Sequence, residues 1–244
     1  MTKCVVPFSG GMDSTTILYH ALTTHDEIHA LPIMYGQRHL RKEIEAGLKL
    51  IHNLQDQYPN RIVYRPLDLA IFKTIANVSA LTNDGIDVAK AKDVMGDPQT
   101  VNYVPFRNMM MLSVCSAYAE SIGADTVYHG AAQADSVAGY WDGSKEFIDA
   151  INQVIILNRR HKIKIEAPLL TKSKAEIIKW GLELGVDYSQ TWTCYEGLDA
   201  ACGVCTACAL RLKGFVDAGI KDPLPYAKKI DWNQLLNLSQ NSQH

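Results

Sequence analysis

Residues 3–22, KCVVPFSGGMDSTTILYHAL, change pattern at one point: an apolar run ends at Ser9-Gly10-Gly11, and apolar residues resume at Ile17, Leu18, Ala21 and Leu22. A short continuous run followed by helical spacing predicts a buried strand, a tight turn and a helix. Such a turn aims several backbone N–H groups at one place, where the helix dipole adds partial positive charge, so an anion is held there. The Walker A loop, G-x-x-x-x-G-K-[ST], adds a lysine that reaches the terminal phosphates. No lysine follows Gly11 here. The loop carries Asp13 instead, and a carboxylate repels phosphate unless a divalent cation bridges the two. Pyrophosphate held with Mg²⁺ satisfies both features; a plain strand-to-helix turn with a Ser or Asp cap is the alternative.

The same switch of period recurs along the chain. EIHALPIMYG (27–36) reads as a second strand, and Ile44, Leu48, Ile51 and Leu54 form an apolar stripe on the helix after it. RIVYRPL (61–67) is a third strand, whereas 77–102 is polar without a sustained period and suits a loop or lid that orders on binding. A strongly apolar helix follows at 108–124, with Gly123 as its stop, then a strand DTVYHG at 125–130. Beyond these come a helix near 145–158, a short strand within 161–169, and a helix over 173–185 capped by Ser173 with Glu176 at the capping-box position. Strands alternating with helices predict an α/β fold, a mainly parallel Rossmann-type sheet flanked by helices with ligands at the carboxyl ends of its strands. There are no internal repeats, and SQNSQH at 239–244 has the composition of a disordered tail.

Composition narrows the function classes. With 244 residues, 47% of them hydrophobic, and a formal charge of −2, the chain suits one large α/β domain with a small appendage. It lacks the basic balance of a nucleic-acid binder, and the short basic runs at 38–42 and 159–164 read as solvated faces. No signal-peptide pattern and no apolar stretch near the roughly 20 residues of a membrane helix are present, so a cytoplasmic location without membrane contact is expected.

A second constellation lies at 191–215, TWTCYEGLDAACGVCTACALRLKGF. Seven residues separate Cys194 from Cys202, and two separate each neighbouring pair among Cys202, Cys205 and Cys208. Two-residue spacings let one tight turn aim neighbouring thiolates at one ion, and a disulfide framework is disfavoured in a cytoplasmic protein of this size. The spacing suits a four-thiolate zinc site, and it also matches the start of a ferredoxin cluster run, though that run continues x3-C-P where this chain reads ALRLKG. Cys4 and Cys115, in an apolar strand and helix, read as inert buried thiols.

An anion loop near one end and four clustered cysteines near the other accompany further matching stretches: SGGMDST, YGQRH (35–39), VPFRN (104–108), AYAESIGAD, KAEI (174–177), TWTCY and ACGVCTACALRLKGF. Together, from Ser9 to about Phe215, they resemble the 7-cyano-7-deazaguanine synthase family of pyrophosphate-loop ligases. The resemblance implies an adenine-nucleotide alpha-hydrolase-like domain over 1–190, a zinc-binding region over 191–232 packed on it, and a tail over 233–244. It further implies an AMP-forming C–N ligase that converts 7-carboxy-7-deazaguanine and ammonia to the nitrile in queuosine-type biosynthesis, with ATP, Mg²⁺ and Zn²⁺. A homodimer without a nucleic-acid partner is implied as well. By the same resemblance ATP is held by Phe8, Ser9, Gly10, Gly11, Met12, Asp13, Ser14, Thr15, Thr16, Ile17 and Leu18, and zinc by Cys194, Cys202, Cys205 and Cys208. Ser9, Asp13, Ser14 and Arg107 take the catalytic roles.

Arg107, after a proline turn at a helix start, suits a phosphate or a substrate carboxylate; a surface ion pair is the bland alternative. Arg38, His39, Gln133, Asp135 and Asp142 are candidates to hold the substrate, His39 having a capping role as its alternative. At 140–145 the chain reads YWDGSK where the family pattern is GYPDCR, a departure that bears on how the substrate is gripped. Other readings are a tRNA thiolase or lysidine synthetase, for which a basic appendage is missing, a variant that stops at the amide, and a non-catalytic zinc-ribbon module, which leaves 190 residues of α/β domain unexplained.

Overall fold

A computed structural model describes residues 1–94, 100–133, 135, 140–158 and 160–241. Among these, strands β1 (Lys3–Pro7), β2 (Glu27–Leu31), β4 (Ile62–Tyr64), β6 (Thr126–Tyr128) and β7 (Lys164–Glu166) form one five-stranded parallel sheet in the order β4-β2-β1-β6-β7. Lys3 to Pro7 run in register with Glu27 to Leu31, and Cys4 and Val5 face Thr126 and Val127 on the other side. The strand order therefore reverses between β1 and β6, and the crevice for a ligand opens at their carboxyl ends. The Rossmann-type parallel sheet expected from the sequence is the fold observed.

Period-two alternation in β1 divides the core. Cys4 and Val6 face helix α1 (Met12–Thr24) and helix α2 (Leu40–Gln57), packing with Ile17, Leu18, Leu50, Ile51 and Leu54. Val5 faces the opposite side, where Leu112, Cys115 and Ala119 of α5 (Arg107–Ile122) meet Phe147, Ile148 and Ile151 of α6 (Lys145–Ile155). Cys4 and Cys115 are buried without disulfide partners, and burial pushes the Cys115 thiol up to about 12, so both are inert at neutral pH.

The expected strands are shorter than their apolar runs. Pro32 splits 27–36 into β2 and β3 (Ile33–Met34), and β5 (Leu67–Asp68) leaves β4 after Arg65-Pro66 to pair with β3 in a separate two-stranded ladder. Proline cannot donate to a ladder, and each break falls at one. The segment 77–102, expected as a lid, is packed where it is described, with residues 95–99 outside the described set. Ser79, Ala80, Leu81 and Thr82 are buried, Ala91 N–H donates to Val204 O, and Asn102 Nδ2 donates to Thr206 Oγ1. A short helix α3 (Phe72–Ile75) precedes the segment and α4 (Ala91–Val94) lies within it, while Ala80, Leu81 and Val88 enter buried apolar clusters from irregular spacings that make no helical or strand period.

Helix α7 (Lys174–Glu183) begins with the expected capping box: Ser173 Oγ accepts from Glu176 N–H while the Glu176 carboxylate accepts from Ser173 N–H. It packs on α8 (Thr206–Asp217), where a Cβ at Gly214 would sit 2.7 Å from Lys174 Cβ, so only glycine permits this approach. Helix α9 (Trp232–Asn241) occupies the segment expected as a tail; residues 242–244, like Arg159 of the basic run, lie outside the described set.

Candidate active site

A cavity of about 290 Å³ occupies the crevice between the carboxyl ends of β1 and β6. One wall is the 9–14 loop. Gly10 adopts φ +69°, and a Cβ there would lie 2.8 Å from Gly47 N of α2, so the loop backbone is pressed directly against a helix backbone. Ser14 Oγ donates to Gly11 O at 3.2 Å and lies 3.1 Å from Ser9 Oγ, which itself accepts from Gly11 N–H. These hydroxyls hold the turn, while the first N–H groups of α1 have no acceptor within the helix, the geometry of an anion site.

Asp13 lines the cavity, and the lysine missing from the loop arrives from elsewhere. Lys174 Nζ, at the first turn of α7, donates to Asp13 Oδ2 at 2.7 Å across 161 residues. Burial opposes the Lys174 charge, but Asp13 and Asp135 outweigh it and raise the ammonium above its ordinary range. The second oxygen, Asp13 Oδ1, is buried with no hydrogen-bond partner among the described residues. An orphaned carboxylate oxygen beside an anion loop fits a hard divalent cation such as Mg²⁺.

Arg107 lines the opposite wall. Burial works against its charge, but Tyr35, Tyr195 and Asp142 more than compensate and hold the guanidinium protonated. Asp142 is itself buried, which pushes its carboxyl up against the pull of Arg107 and His129. His129, at the end of β6, has Nε2 3.0 Å from Asp142 O and is kept below its ordinary value by burial. An arginine, an acid, a histidine and two tyrosines thus converge where β6 ends.

The other expected residues divide. Phe8, Ser9, Gly11, Asp13, Ser14, His39 and Asp135 line the cavity, and Asp135 Oδ2 accepts from Ala132 N–H at 2.9 Å. Asp142 stands behind the wall beside Arg107, and Gln133 is exposed, its N–H donating to Lys172 O. Arg38 points into the 83–86 turn, donating to the carbonyls of Asp84 and Ile86. His39 lies against Tyr195 with ring centroids 5.3 Å apart and the rings tilted by 41°, and its Nε2 is 3.4 Å from Glu43 Oε1. Met12, Ile17 and Leu18 are buried in apolar clusters, Thr15 is fully buried, and Thr16 Oγ1 bonds to Met12 O and the Tyr188 hydroxyl.

The four cysteine sulfurs lie within 4.8 Å of one another, with Cys202 and Cys208 3.9 Å apart. Sulfurs each roughly 2.3 Å from one central ion would be separated by about 3.8 Å, so the donor set fits a tetrahedral metal. Backbone N–H groups support the charge such ligands carry: Cys202 donates to Cys194 Sγ, Val204 and Cys205 to Cys202 Sγ, and Cys208 to Cys205 Sγ.

Sequence reasoning passed over Lys174, Tyr35, Tyr195 and Arg211. Lys174 stands in KAEI, where its only local signal is the capping box before it. Arg211 is the largest fully buried side chain among the described residues and forms a two-contact ion pair with Asp222 at 2.8 and 2.9 Å. An arginine three residues after Cys208 has no spacing that announces this.

Residues 3–219 match the family model of queuosine biosynthesis protein QueC. The chain is 42% identical over 235 residues to the 7-cyano-7-deazaguanine synthase of Clostridium kluyveri, covering 93% of this chain and 98% of that one. It is 40% identical over 231 residues to the protein of the same description from Caldicellulosiruptor bescii, covering 94% and 100% respectively. Against solved structures, the NMN synthetase of Francisella tularensis aligns with a TM-score of 0.48 at 16% identity, over 100% of this chain and 84% of that one.

Proposed function

The chain belongs to the QueC family of queuosine biosynthesis proteins, and on that premise we propose that it converts 7-carboxy-7-deazaguanine and ammonia to 7-cyano-7-deazaguanine, consuming ATP. The observation that carries the chemistry is the 9–14 loop with Asp13, itself paired to Lys174, facing a cavity that Arg107 also lines.

A carboxylate resists ammonia because it is anionic and its leaving group is oxide. In this reading a carboxylate oxygen attacks the α-phosphorus of ATP, the bond to pyrophosphate breaks, and AMP becomes the leaving group. Ammonia displaces AMP and loses a proton, giving the amide. The amide oxygen is then adenylated in turn, and loss of AMP and the nitrogen's protons leaves the nitrile. No protein nucleophile is needed; the residues supply electrostatics and position.

The N–H groups of the loop and the Lys174 ammonium stabilise charge growing on departing pyrophosphate. Asp13, through its orphaned Oδ1, would hold Mg²⁺, which neutralises phosphate charge when bound. Arg107 receives the substrate carboxylate, and Asp135, with Asp142 behind it, offers acceptors to the donor edge of a guanine-like base. Cys194, Cys202, Cys205 and Cys208 would hold zinc as a structural ion that fixes the 194–208 turn within the 191–232 region. A reducing cytoplasm keeps these thiols free. No described helix is long and apolar enough to cross a membrane. The family resemblance supports a homodimer.

The test is a reconstitution with 7-carboxy-7-deazaguanine, ammonium, Mg²⁺ and ATP. One ATP is consumed for each oxygen removed, so about two AMP and two pyrophosphate form per nitrile, with the amide appearing as an intermediate. Release of ADP and phosphate in their place overturns the adenylation chemistry. AMP with the amide as sole product keeps the chemistry and moves the reading to an amide-forming enzyme.

A further inference from the structure

All five N–H donors of the Arg211 guanidinium are matched to acceptors, three of them in the 188–193 segment that meets the phosphate loop. Nε and Nη2 donate to the two carboxylate oxygens of Asp222, Nη2 also donates to Tyr188 O at 2.9 Å, and Nη1 donates to Thr191 Oγ1 at 2.7 Å and Thr193 Oγ1 at 3.1 Å. Arg211 and Asp222 are both fully buried, and Tyr226 donates to Asp222 from the far side. Neither Arg211, Thr191 nor Asp222 lines the cavity, so none of them touches a bound nucleotide there.

The grip on Thr191 and Thr193 has a mechanical consequence. In extended backbone these two side chains point the same way and the residue between them points the other way. Trp192 is that residue. Its N–H donates to Gly10 O at 2.9 Å, and its carbonyl lies where a Cβ on Gly11 would come within 3.3 Å. Gly10 is pressed on its other side by the α2 backbone at Gly47. The phosphate loop thus sits between two jaws, one a helix backbone and the other the 191–193 strip. Only the second jaw lacks regular secondary structure of its own, and Arg211 supplies its rigidity. Tyr188 extends the link, since its hydroxyl bonds to Thr16 Oγ1 of α1, the helix that begins at the loop.

We propose that Arg211 is a positioning residue for the phosphate loop: through Thr191 and Thr193 it holds the Trp192 backbone against Gly10, and so sets the geometry in which the loop N–H groups meet the ATP phosphates. The assignment of ATP rests on the function proposed above; the mechanical part does not. Lysine cannot substitute, because one ammonium with three donors cannot span the Asp222 carboxylate, a carbonyl and two hydroxyls.

Two variants test this, Arg211→Lys and Thr191→Val, the second leaving the Arg211–Asp222 pair in place. In both, protection of the Gly11 and Thr15 amides against hydrogen exchange falls about tenfold while α8 and the cysteine segment keep theirs, and bound metal per chain is unchanged. KM for ATP rises about tenfold with kcat within about twofold of the parent. Unchanged loop exchange in the folded variants overturns the proposal, as does a loss of protection spread equally over α8 and the cysteine segment, which marks a merely structural residue. If the parent protein does not use ATP, the function proposed above fails while the exchange measurement still decides whether Arg211 positions the loop. If Arg211→Lys does not fold, Thr191→Val carries the comparison alone.

Discussion

Lys174 Nζ stands 2.7 Å from Asp13 Oδ2, bringing to the phosphate loop a cation that lies 161 residues further along the chain. The loop's acid is thereby half satisfied: one oxygen accepts from lysine and the other is buried without a partner.

Replacing Lys174 by Ala removes the cation but leaves the loop backbone intact. AMP formation is expected to fall about 10²–10³-fold, the usual cost of losing one charge-stabilising donor in a reaction of this kind. The melting temperature should move far less than activity, because Asp13 keeps partial access to water. A quantitative AMP assay beside a thermal melt checks this; parental turnover in the variant would remove Lys174 from the mechanism.

Gly10→Ala addresses the loop itself. The left-handed conformation alone costs an alanine about 1–2 kcal/mol. The new methyl also meets Gly47 N at 2.8 Å, which is helix backbone and does not yield. Denaturant unfolding is expected to show at least that loss of stability, and ATP binding should weaken with it.

The cysteine cluster is expected to carry about one zinc per chain, read by elemental analysis of purified protein. Since a structural metal's binding energy is folding energy, Cys205→Ser or a strong chelator should lower the melting temperature sharply or leave the protein insoluble. Stoichiometric iron with absorption near 400 nm would replace zinc by an iron–sulfur cluster.

His129 makes stability depend on pH. Burial holds its folded-state value below the ordinary 6.5, so the unfolded chain takes up a proton first as the medium is acidified. Stability attributable to His129 is therefore fully present above about pH 6.5 and declines as pH falls through the depressed folded-state value. His20 and His25, also lowered mainly by burial, act in the same direction. Melting temperatures measured from pH 8 to pH 5 should be level and then fall, and His129→Gln should flatten part of that decline; an identical slope in the variant would place the effect elsewhere.

The sequence alone determined the features whose causes lie within a few residues of each other. The strand-to-helix turn at Ser9-Gly10-Gly11 follows from a change of apolar period, and the start of α7 from Ser173 and Glu176 three positions apart. The cysteine cluster follows from two-residue spacings, and the parallel sheet from strands that alternate with helices. Tertiary structure decided which distant side chains meet. Asp13 finds Lys174 because α1 and α7 pack side by side, and Arg211 finds Thr191 and Thr193 across 20 and 18 residues of chain. It also decided that 77–102 would be packed: Ala91 N–H donates to Val204 O, Asn102 Nδ2 donates to Thr206 Oγ1, and Ala80 and Val88 pack with the cysteines, contacts that no local pattern records. Periodicity and capping are interactions between near neighbours and so are written in spacing, whereas a buried charge selects its partner by desolvation, and only the assembled fold determines which groups share its water-free space.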